Sequence, residues 1–298
     1  MTQVVYSALG REIRLDNERM KILVVKAHPH DFTHSAGTLG IHTTKGDSVT
    51  LVVATGGKRA HNEKLATELL KPEAEQDLAI INEPPDEYAR QKADELRRAA
   101  ALFGIGDVRI LDGGEPFRAD ENPAVVEQMA DIIAEVRPHI LITQSPYLKG
   151  SGPHGLESGY LGNSHTETAY AIQRAQGMVS TPEHGAKRRP HRIAATFYPG
   201  VYFDRGDWDL LVDISDWYEQ RVEAEVLFKS QGHNKAFARK RIEISCGAAG
   251  WTAGTAYAEG FVRPKPEVFG SLTLSPYTLR SAEESPQEHM QRVTGVTT

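Results

Sequence analysis

Three histidines and one aspartate stand within seven consecutive residues, His28 to His34, in the segment A-H-P-H-D-F-T-H. Only 12 of the 298 residues are histidine, so this density calls for an explanation. Neutral imidazoles and carboxylates are the ligands that zinc and related divalent metals take from proteins. The ordinary alternative is a polar loop whose histidines flank the next helix. The position of the segment, directly after a predicted buried strand, favours metal binding.

A second candidate segment, G-Y-L-G-N-S-H-T-E-T, carries His165. Ser164 and Glu167 have the S-x-x-E spacing of a capping box, which predicts a helix that begins here with His165 in its first turn. Taken alone, such a histidine could simply face water. Together with His28 and Asp31 it would complete a set of two imidazoles and one carboxylate. Three protein ligands and an open position are what a catalytic zinc site requires.

Hydrophobic patterning predicts the elements that would bring these residues together. Short apolar runs alternate with helical stretches of about 10–15 residues, which indicates βαβ units and an α/β fold with a mostly parallel sheet. Ligands bind such a sheet beyond the carboxyl ends of its strands, which is where both histidine segments fall. We predict strands at Lys21–Lys26, Ser48–Ala54, Val108–Leu111, His139–Thr143, Ile193–Phe197 and Leu210–Val212. We predict helices at Ser35–Lys45, Glu63–Leu70, Tyr88–Phe103, Pro123–Val136, Thr166–Ala175 and Ser215–Phe228.

Composition narrows the class of protein. The net charge of −6 gives no basic face for nucleic acid, and a hydrophobic fraction of 40% is enough for one large core. Cys246 is the single cysteine, so no internal disulfide can form, which fits a reducing compartment. No apolar window approaches the length of a membrane span. We therefore expect a cytoplasmic protein that binds a small-molecule substrate and neither nucleic acid nor membrane.

Four segments resemble the motifs of the PIG-L/LmbE-like N-acetylglucosaminyl deacetylases, in the order of that family. KILVVKAHPHDFTHSAGTL is similar to the first motif, A-H-P-D-D-E, and Gly162 to His165 is similar to the second, H-P-D-H. The stretch from Val212 to Gly232 is similar to the D-I-S…H-x-S-Q helix, and Tyr257 to Phe261 to the closing Y-A-E-x-F. The resemblance implies a Rossmann-like, three-layer fold and zinc-dependent hydrolysis of an acetamide on a sugar or sugar conjugate.

The resemblance also implies roles for single residues. The metal ligands of the family fall on His28, Asp31 and His165, and all three are kept. The Asp that serves the family as general base is replaced by His30, whose ordinary pKa of about 6.5 would let it take a proton near neutral pH. Four further family positions differ: the chain has Phe32 for Glu, Gly162 for His, Ser164 for Asp and Phe228 for His.

Because this chain lacks the residue that serves the family as general acid, other residues are candidates for its role. His154 lies in a loop that leaves the predicted strand His139–Thr143 at the correct edge, and it would replace the general acid. Tyr160 stands five residues before His165, where some relatives place a tyrosine that polarises the amide carbonyl. His34 is a further candidate for the acid, although we prefer to regard it as an ordinary loop residue, and either His34 or His30 could be a fourth metal ligand.

We therefore expect a metal-dependent amidohydrolase that deacylates a small N-acyl compound, an amino-sugar derivative foremost, with Zn²⁺ or another divalent transition metal. Two alternatives stay open. The same two-His-one-Asp set serves non-haem Fe(II) enzymes, and a non-catalytic metal- or ligand-binding relative would also keep it. We divide the chain into an N-terminal extension (1–20), the hydrolase domain (21–263) and a C-terminal segment (264–298). That last segment is either a tail or an arm that packs on a neighbouring copy, which leaves a homo-oligomer open.

Overall fold

The computed structural model describes residues 5–6, 12–13, 19–147, 164–181, 184–185 and 188–296. The strands in these ranges are β1 Val5–Tyr6, β2 Glu12–Ile13, β3 Lys21–Lys26, β4 Ser48–Val53, β5 Asp107–Ile110, β6 Ile140–Thr143, β7 Ala195–Pro199, β8 Leu210–Asp213 and β9 Ala258–Val262. The α-helices are α1 Ala36–Thr44, α2 Glu63–Leu69, α3 Leu78–Ile81, α4 Pro85–Ala101, α5 Pro123–Val136, α6 Ser164–Ser180, α7 Tyr218–Leu227, α8 Lys235–Ile242, α9 Ala248–Ala253, α10 Pro276–Leu279 and α11 Pro286–Thr294. Short 3₁₀ segments include Pro29–Ser35, Ser215–Trp217 and Lys229–Gln231.

Seven of these strands form one mixed sheet in the order β5-β4-β3-β6-β7-β9-β8. The first five pair in parallel, with Ile22 of β3 opposite both Val49 of β4 and Ile140 of β6. The last two are antiparallel additions at the β7 edge. The chain winds from β3 towards β5 and then returns to the other side of β3 with β6. The carboxyl ends of β3 and β6 therefore form the switch point at which ligands bind in such folds.

Helices cover both faces of the sheet because the central strands are apolar on both sides. Leu23 and Val25 of β3 pack into a core with α5 and α6, including Met129 and Ile172. Ile22 and Val24, the alternate side chains, pack into a second core with α1, α4 and α7. This confirms the predicted three-layer α/β fold with a mostly parallel sheet.

Several elements differ from the sequence-based prediction. All six predicted strands and all six predicted helices are present with small shifts at their ends. The predicted helix Ser215–Phe228, however, begins as a 3₁₀ turn. Strand β9 and helices α8 and α9 were not predicted as elements. Within 264–296 the chain forms α10 and α11, and Arg280 after α10 contacts Asp213 at 3.3 Å.

The helix predicted from Thr166 begins at Ser164, so Ser164 is a helical residue and not the predicted N-cap. Instead the Ser164 hydroxyl accepts from the main-chain N–H of Phe117 at 2.9 Å, and the Glu167 carboxylate accepts from Ala119 N–H at 3.0 Å. Both side chains therefore hold the loop after β5 against the start of α6. Among the described helices, none combines the length and the apolar character needed to cross a bilayer.

Candidate metal centre

His28 and Asp31 are brought together by the tight turn that follows β3. His28 is extended (φ −123°, ψ 161°) and caps the 3₁₀ segment Pro29–Ser35, whose Pro29 fixes the first helical φ. Because a 3₁₀ helix has three residues per turn, residues i and i+3 lie on the same side of it. The Asp31 carboxylate accepts from His28 N–H at 2.9 Å, and its Oδ2 lies 3.5 Å from His28 Nδ1. With the spacing H-x-x-D, the two side chains are therefore brought together by a 3₁₀ turn and not by an α-helix.

His165 reaches the same carboxylate from the first turn of α6. Its Nε2 lies 3.3 Å from Asp31 Oδ2, and its ring centroid is 5.4 Å from that of His28. All three side chains are buried, and their ligand atoms lie within 4.8 Å of one another. Ligand atoms held about 2.0–2.2 Å from one tetrahedral zinc ion would lie about 3.3–3.6 Å apart. The two distances to Asp31 Oδ2, 3.3 and 3.5 Å, match that spacing, and the two imidazole nitrogens lie within 4.8 Å of each other.

The protonation states also suit a metal. Burial lowers the pKa of His28, so its imidazole is neutral, and its buried Nδ1 makes no hydrogen bond within the part of the chain that the structure describes. Burial opposes ionisation of Asp31, but the neighbouring His165 and His28 hold its pKa well below the ordinary range. A neutral imidazole and an ionised carboxylate are the ligating forms of both groups.

Gln144, directly after β6, orients the candidate metal ligand Asp31. Its Nε2 donates to Asp31 Oδ2 at 2.8 Å, and its Oε1 accepts from the main-chain N–H of Ala27 at 2.9 Å. The side chain thereby ties the ends of β3 and β6 together across the switch point. Sequence analysis missed Gln144, although its position directly after a predicted strand, at the same edge as His28, was a usable signal.

His30 occupies a different cluster from the metal ligands. Its Nε2 lies 2.8 Å from Glu225 Oε2 of α7, and its ring packs edge-on against Phe228 and His233. Burial lowers the pKa of His30 to about 4, whereas Glu225 is ionised because the nearby His30 and His233 outweigh burial and hold its pKa well below the ordinary range. An ionised carboxylate only accepts hydrogen bonds, so Nε2 carries the proton and Nδ1 holds the lone pair.

Two further aromatic rings stand close to the centre. Tyr202, after β7, is buried with its ring centroid 5.9 Å from that of His165 and 6.1 Å from that of His34. Burial raises the pKa of the Tyr202 hydroxyl well above its ordinary value, so the group stays protonated and can donate. His34 is not part of the metal-ligating group in the described chain. His154 and Tyr160, our candidates for the acid and the carbonyl donor, lie outside the described residues.

A cavity of about 350 Å³ adjoins the centre. Its lining is polar and rich in histidine: His30, Asp31, His34, His61, Glu63, Gln231, Gly232, His233, Asn234, Phe237 and Arg241. His61, which sequence analysis left in an unassigned loop, has its ring centroid 5.8 Å from that of His28, and its Nδ1 lies 3.5 Å from Glu63. The cavity thus opens beside the metal ligands and offers several hydrogen-bonding groups to a small molecule.

Helix α4 carries a buried polar stripe that holds the two loops around this cavity. Lys92 donates to the carbonyl of Ala60 at 2.5 Å, and the Tyr88 hydroxyl donates to the carbonyl of His61 at 2.5 Å. One turn further along, the Glu95 carboxylate accepts from the N–H and the hydroxyl of Ser230. The loops that carry His61 and the residues after α7 are therefore positioned by side chains of one helix.

Comparisons with known proteins agree with this geometry. Residues 23–155 match the family model described as PIG-L, GlcNAc-PI de-N-acetylase. This range includes most of β3, the His28/Asp31 turn and β6, whereas α6 with His165 lies beyond it. The chain is therefore similar to the PIG-L family over a little less than half of its length. The matched range contains His30 together with the candidate ligands His28 and Asp31.

Curated relatives and solved structures extend the comparison. The 1D-myo-inositol 2-acetamido-2-deoxy-alpha-D-glucopyranoside deacetylases of Streptomyces griseus and Thermomonospora curvata are 25% and 29% identical to this chain over 61% and 57% of its length. The matches span 56% of each relative. The N,N'-diacetylchitobiose deacetylase of Pyrococcus horikoshii has a TM-score of 0.64 at 19% identity, covering 88% of this chain and 89% of its own. The 4-carboxy-2-hydroxymuconate hydratase GalB of Pseudomonas putida also has a TM-score of 0.64, at 20% identity, covering 85% of this chain and all of its own. At these identities the structures show a common fold.

Proposed function

We propose that this protein is a metal-dependent amide hydrolase of the PIG-L type that removes an acyl group, acetyl foremost, from the nitrogen of an amino-sugar derivative. The observation that carries the proposal is the His28, Asp31 and His165 set, in which both imidazoles lie 3.3–3.5 Å from one carboxylate oxygen beside a polar cavity. The names of the curated relatives support the same reaction. Zinc is our first choice of metal, since two imidazoles and one carboxylate with an open position are typical of catalytic zinc.

The chemistry divides between the ion and the side chains. A divalent ion held here would supply a Lewis acid for the amide carbonyl and lower the pKa of a bound water. His30 is the general base in our proposal, and Nδ1 is the atom that accepts the proton, because Nε2–H is held by Glu225. Glu225 fixes the ring and its tautomer and stabilises the imidazolium that forms after proton transfer. Thr, Ser or Cys nucleophiles play no part in this scheme.

The remaining steps need hydrogen-bond donors. Tyr202 is buried beside His165, and its protonated hydroxyl is suited to donate to the oxygen that gains negative charge. Protonation of the leaving amine requires an acid that reaches the cavity. His61 lines the cavity and is paired with Glu63, and it joins His154 as a candidate for that role.

The cavity supports a sugar-like substrate. Its volume of about 350 Å³ lies at the lower end of the usual range for small-molecule sites, about 300–1,000 Å³. Imidazole, amide and guanidinium groups line it, and they can pair with several hydroxyls. An acetylated monosaccharide unit with a further group exposed to solvent fits this description.

The proposal is tested by metal analysis together with amine release. Protein purified without added metal is assayed for zinc and iron content, and metal-loaded protein is screened with N-acetyl amino sugars, their inositol and oligosaccharide conjugates, and simple acetamides. We expect turnover of at least one sugar amide, and loss of both metal and turnover in His165→Ala. His42→Ala serves as the matched imidazole control, because His42 pairs with Asp47 away from the centre. Full metal content in His165→Ala, or no turnover by metal-loaded protein, would contradict the proposal.

A further inference from the structure

A second group of side chains that could bind a metal lies outside the His28, Asp31 and His165 centre. His30, Glu225 and His233 each offer a ligand atom, and these atoms lie within 4.8 Å of one another. Glu225 Oε2 is at the centre of the group, 2.8 Å from His30 Nε2 and 3.3 Å from His233 Nδ1. Like the first centre, the group consists of two imidazoles and one carboxylate. Its members come from the turn after β3, from α7 and from the segment that precedes α8.

The surroundings of this group suit an ion that enters from solvent. His30 and Glu225 are buried, whereas His233 is partly exposed. His30 and His233 both line the 350 Å³ cavity, so water can complete the coordination. Both imidazoles lie close enough to one carboxylate oxygen for each to donate an N–H to it. A divalent ion would replace those two donors, and His30 Nε2 and Glu225 Oε2 would move apart from 2.8 Å to about 3.3 Å to hold it.

The nearby charges set the strength of binding. Arg241 NH1 lies 3.8 Å from Glu225 Oε2, and Arg221 NH1 lies 3.7 Å from Oε1. Arg221 is itself paired with Glu259 at 3.3 Å, but Arg241 has its side chain about one third exposed, with a relative accessibility of 32%. Two guanidinium groups already neutralise the two carboxylates, so an added ion finds no net negative charge and must compete with Arg221 and Arg241 for Glu225. The second site must therefore bind a given metal more weakly than the first.

We propose that His30, Glu225 and His233 form a second, weaker site for a divalent transition metal, zinc foremost, whose occupation inhibits the enzyme. The binding part stands on the ligand geometry alone, and the inhibitory part rests on the proposed function. When Nε2 of neutral His30 coordinates an ion, the ring proton resides on Nδ1. That atom then has no lone pair with which to accept a proton from water. The ion thus converts the base into a ligand.

Metal stoichiometry tests the site without reference to activity. Metal-free protein is titrated with Zn²⁺ by calorimetry, and bound zinc is counted by elemental analysis after removal of unbound metal. We expect two equivalents in the wild type, one of them weaker. His165→Ala should keep only the weak equivalent, whereas Glu225→Gln and His233→Gln should keep only the tight one. His289→Gln is the control, because His289 forms a carboxylate pair with Glu284 outside this cluster.

Arg241→Gln gives a test of opposite sign. Removal of a positive charge close to the ion should tighten the weak equivalent by about tenfold or more and leave the tight one unchanged. In the activity assay, excess zinc should inhibit the wild type, and His233→Gln should lose that inhibition. One equivalent in the wild type at saturating zinc, or a weak equivalent that survives in both Glu225→Gln and His233→Gln, would overturn the second site. Two equivalents without zinc inhibition would overturn only the inhibitory part, and the role of His30 as base with it.

Discussion

Replacement of Gln144 with Leu should weaken metal binding although Gln144 is not a ligand. The Gln144 amide bridges the main-chain N–H of Ala27, at 2.9 Å, and Oδ2 of Asp31, at 2.8 Å. Leucine has a similar size but can make neither bond. The exchange therefore removes one donor from the carboxylate that both His28 and His165 approach, without changing the set of ligands.

The size of the effect follows from these two bonds. A hydrogen bond to a charged group contributes about 1.5–3 kcal/mol, and each 1.4 kcal/mol corresponds to a tenfold change in affinity. Asp31 keeps its second bond, from His28 N–H at 2.9 Å, so we expect the lower part of that range, about 10- to 30-fold weaker zinc binding. Loss of the acceptor for the buried N–H of Ala27 should in addition lower the free energy of unfolding of metal-free protein by about 1–3 kcal/mol.

Competition with a chelator of known affinity measures the first quantity, and urea unfolding of metal-free protein measures the second. Gln128→Leu is the matched control, since Gln128 lies on the exposed face of α5. It should change neither quantity. A zinc affinity of Gln144→Leu within twofold of the wild type would refute the role assigned to Gln144. Reduced stability with unchanged affinity would show that the bond to Ala27 matters and the bond to Asp31 does not.

Three further predictions concern single side chains. Glu225→Gln should lower kcat about 10- to 100-fold with the tight zinc equivalent retained, because His30 loses its charged partner, and steady-state kinetics beside metal analysis checks this. His61→Gln should lower kcat more than it raises KM, if His61 is the acid that serves the leaving amine, whereas a change in KM alone would make it a binding residue. Glu115→Gln should flatten the loss of stability in acid. Burial opposes ionisation of Glu115, but hydrogen bonds from the Thr55 hydroxyl and Arg59 N–H keep its folded pKa below the unfolded value of about 4.3. Its contribution is therefore complete above that pH and disappears as pH falls through the folded pKa, which urea unfolding between pH 6 and pH 3 measures.

The central part of the fold is readable from the sequence because its signals are local. The run K-I-L-V-V-K is apolar on both faces of β3, and that pattern is typical of a buried parallel strand. Strand β9 escaped this reasoning because Glu259 and Gly260 interrupt its apolar residues. Glu259 is nevertheless buried, since its carboxylate accepts from the N–H groups of Gly37 and Thr38 at the start of α1. A buried charge that is paired with a helix terminus far away in the sequence produces no periodic pattern that could be recognised.

The candidate site likewise contains residues that could be predicted from the sequence and residues that could not. His28, Asp31 and His165 could be selected from residue type and from their place after predicted strands. The pairing of His30 with Glu225 could not, because 195 residues separate them and no pattern links a turn residue to one position of a later helix. The ring contact between His30 and Phe228 is equally invisible before folding. Long-range partners, and with them the tautomer of His30, become known only from the packed structure.

The turn after β3 explains how the chain can bring the candidate ligands His28 and Asp31 together and still direct the residue between them elsewhere. In a 3₁₀ segment, successive side chains are about 120° apart, so His28 and Asp31 share one side while His30 points elsewhere. The side chain at position 30 therefore pairs with α7 and not with the metal. A substitution there alters the pairing with residue 225 and leaves the ligand spacing of 3.3–3.5 Å intact. The base and the metal centre can thus vary independently, although Pro29 alone separates His30 from the ligand His28 in the chain.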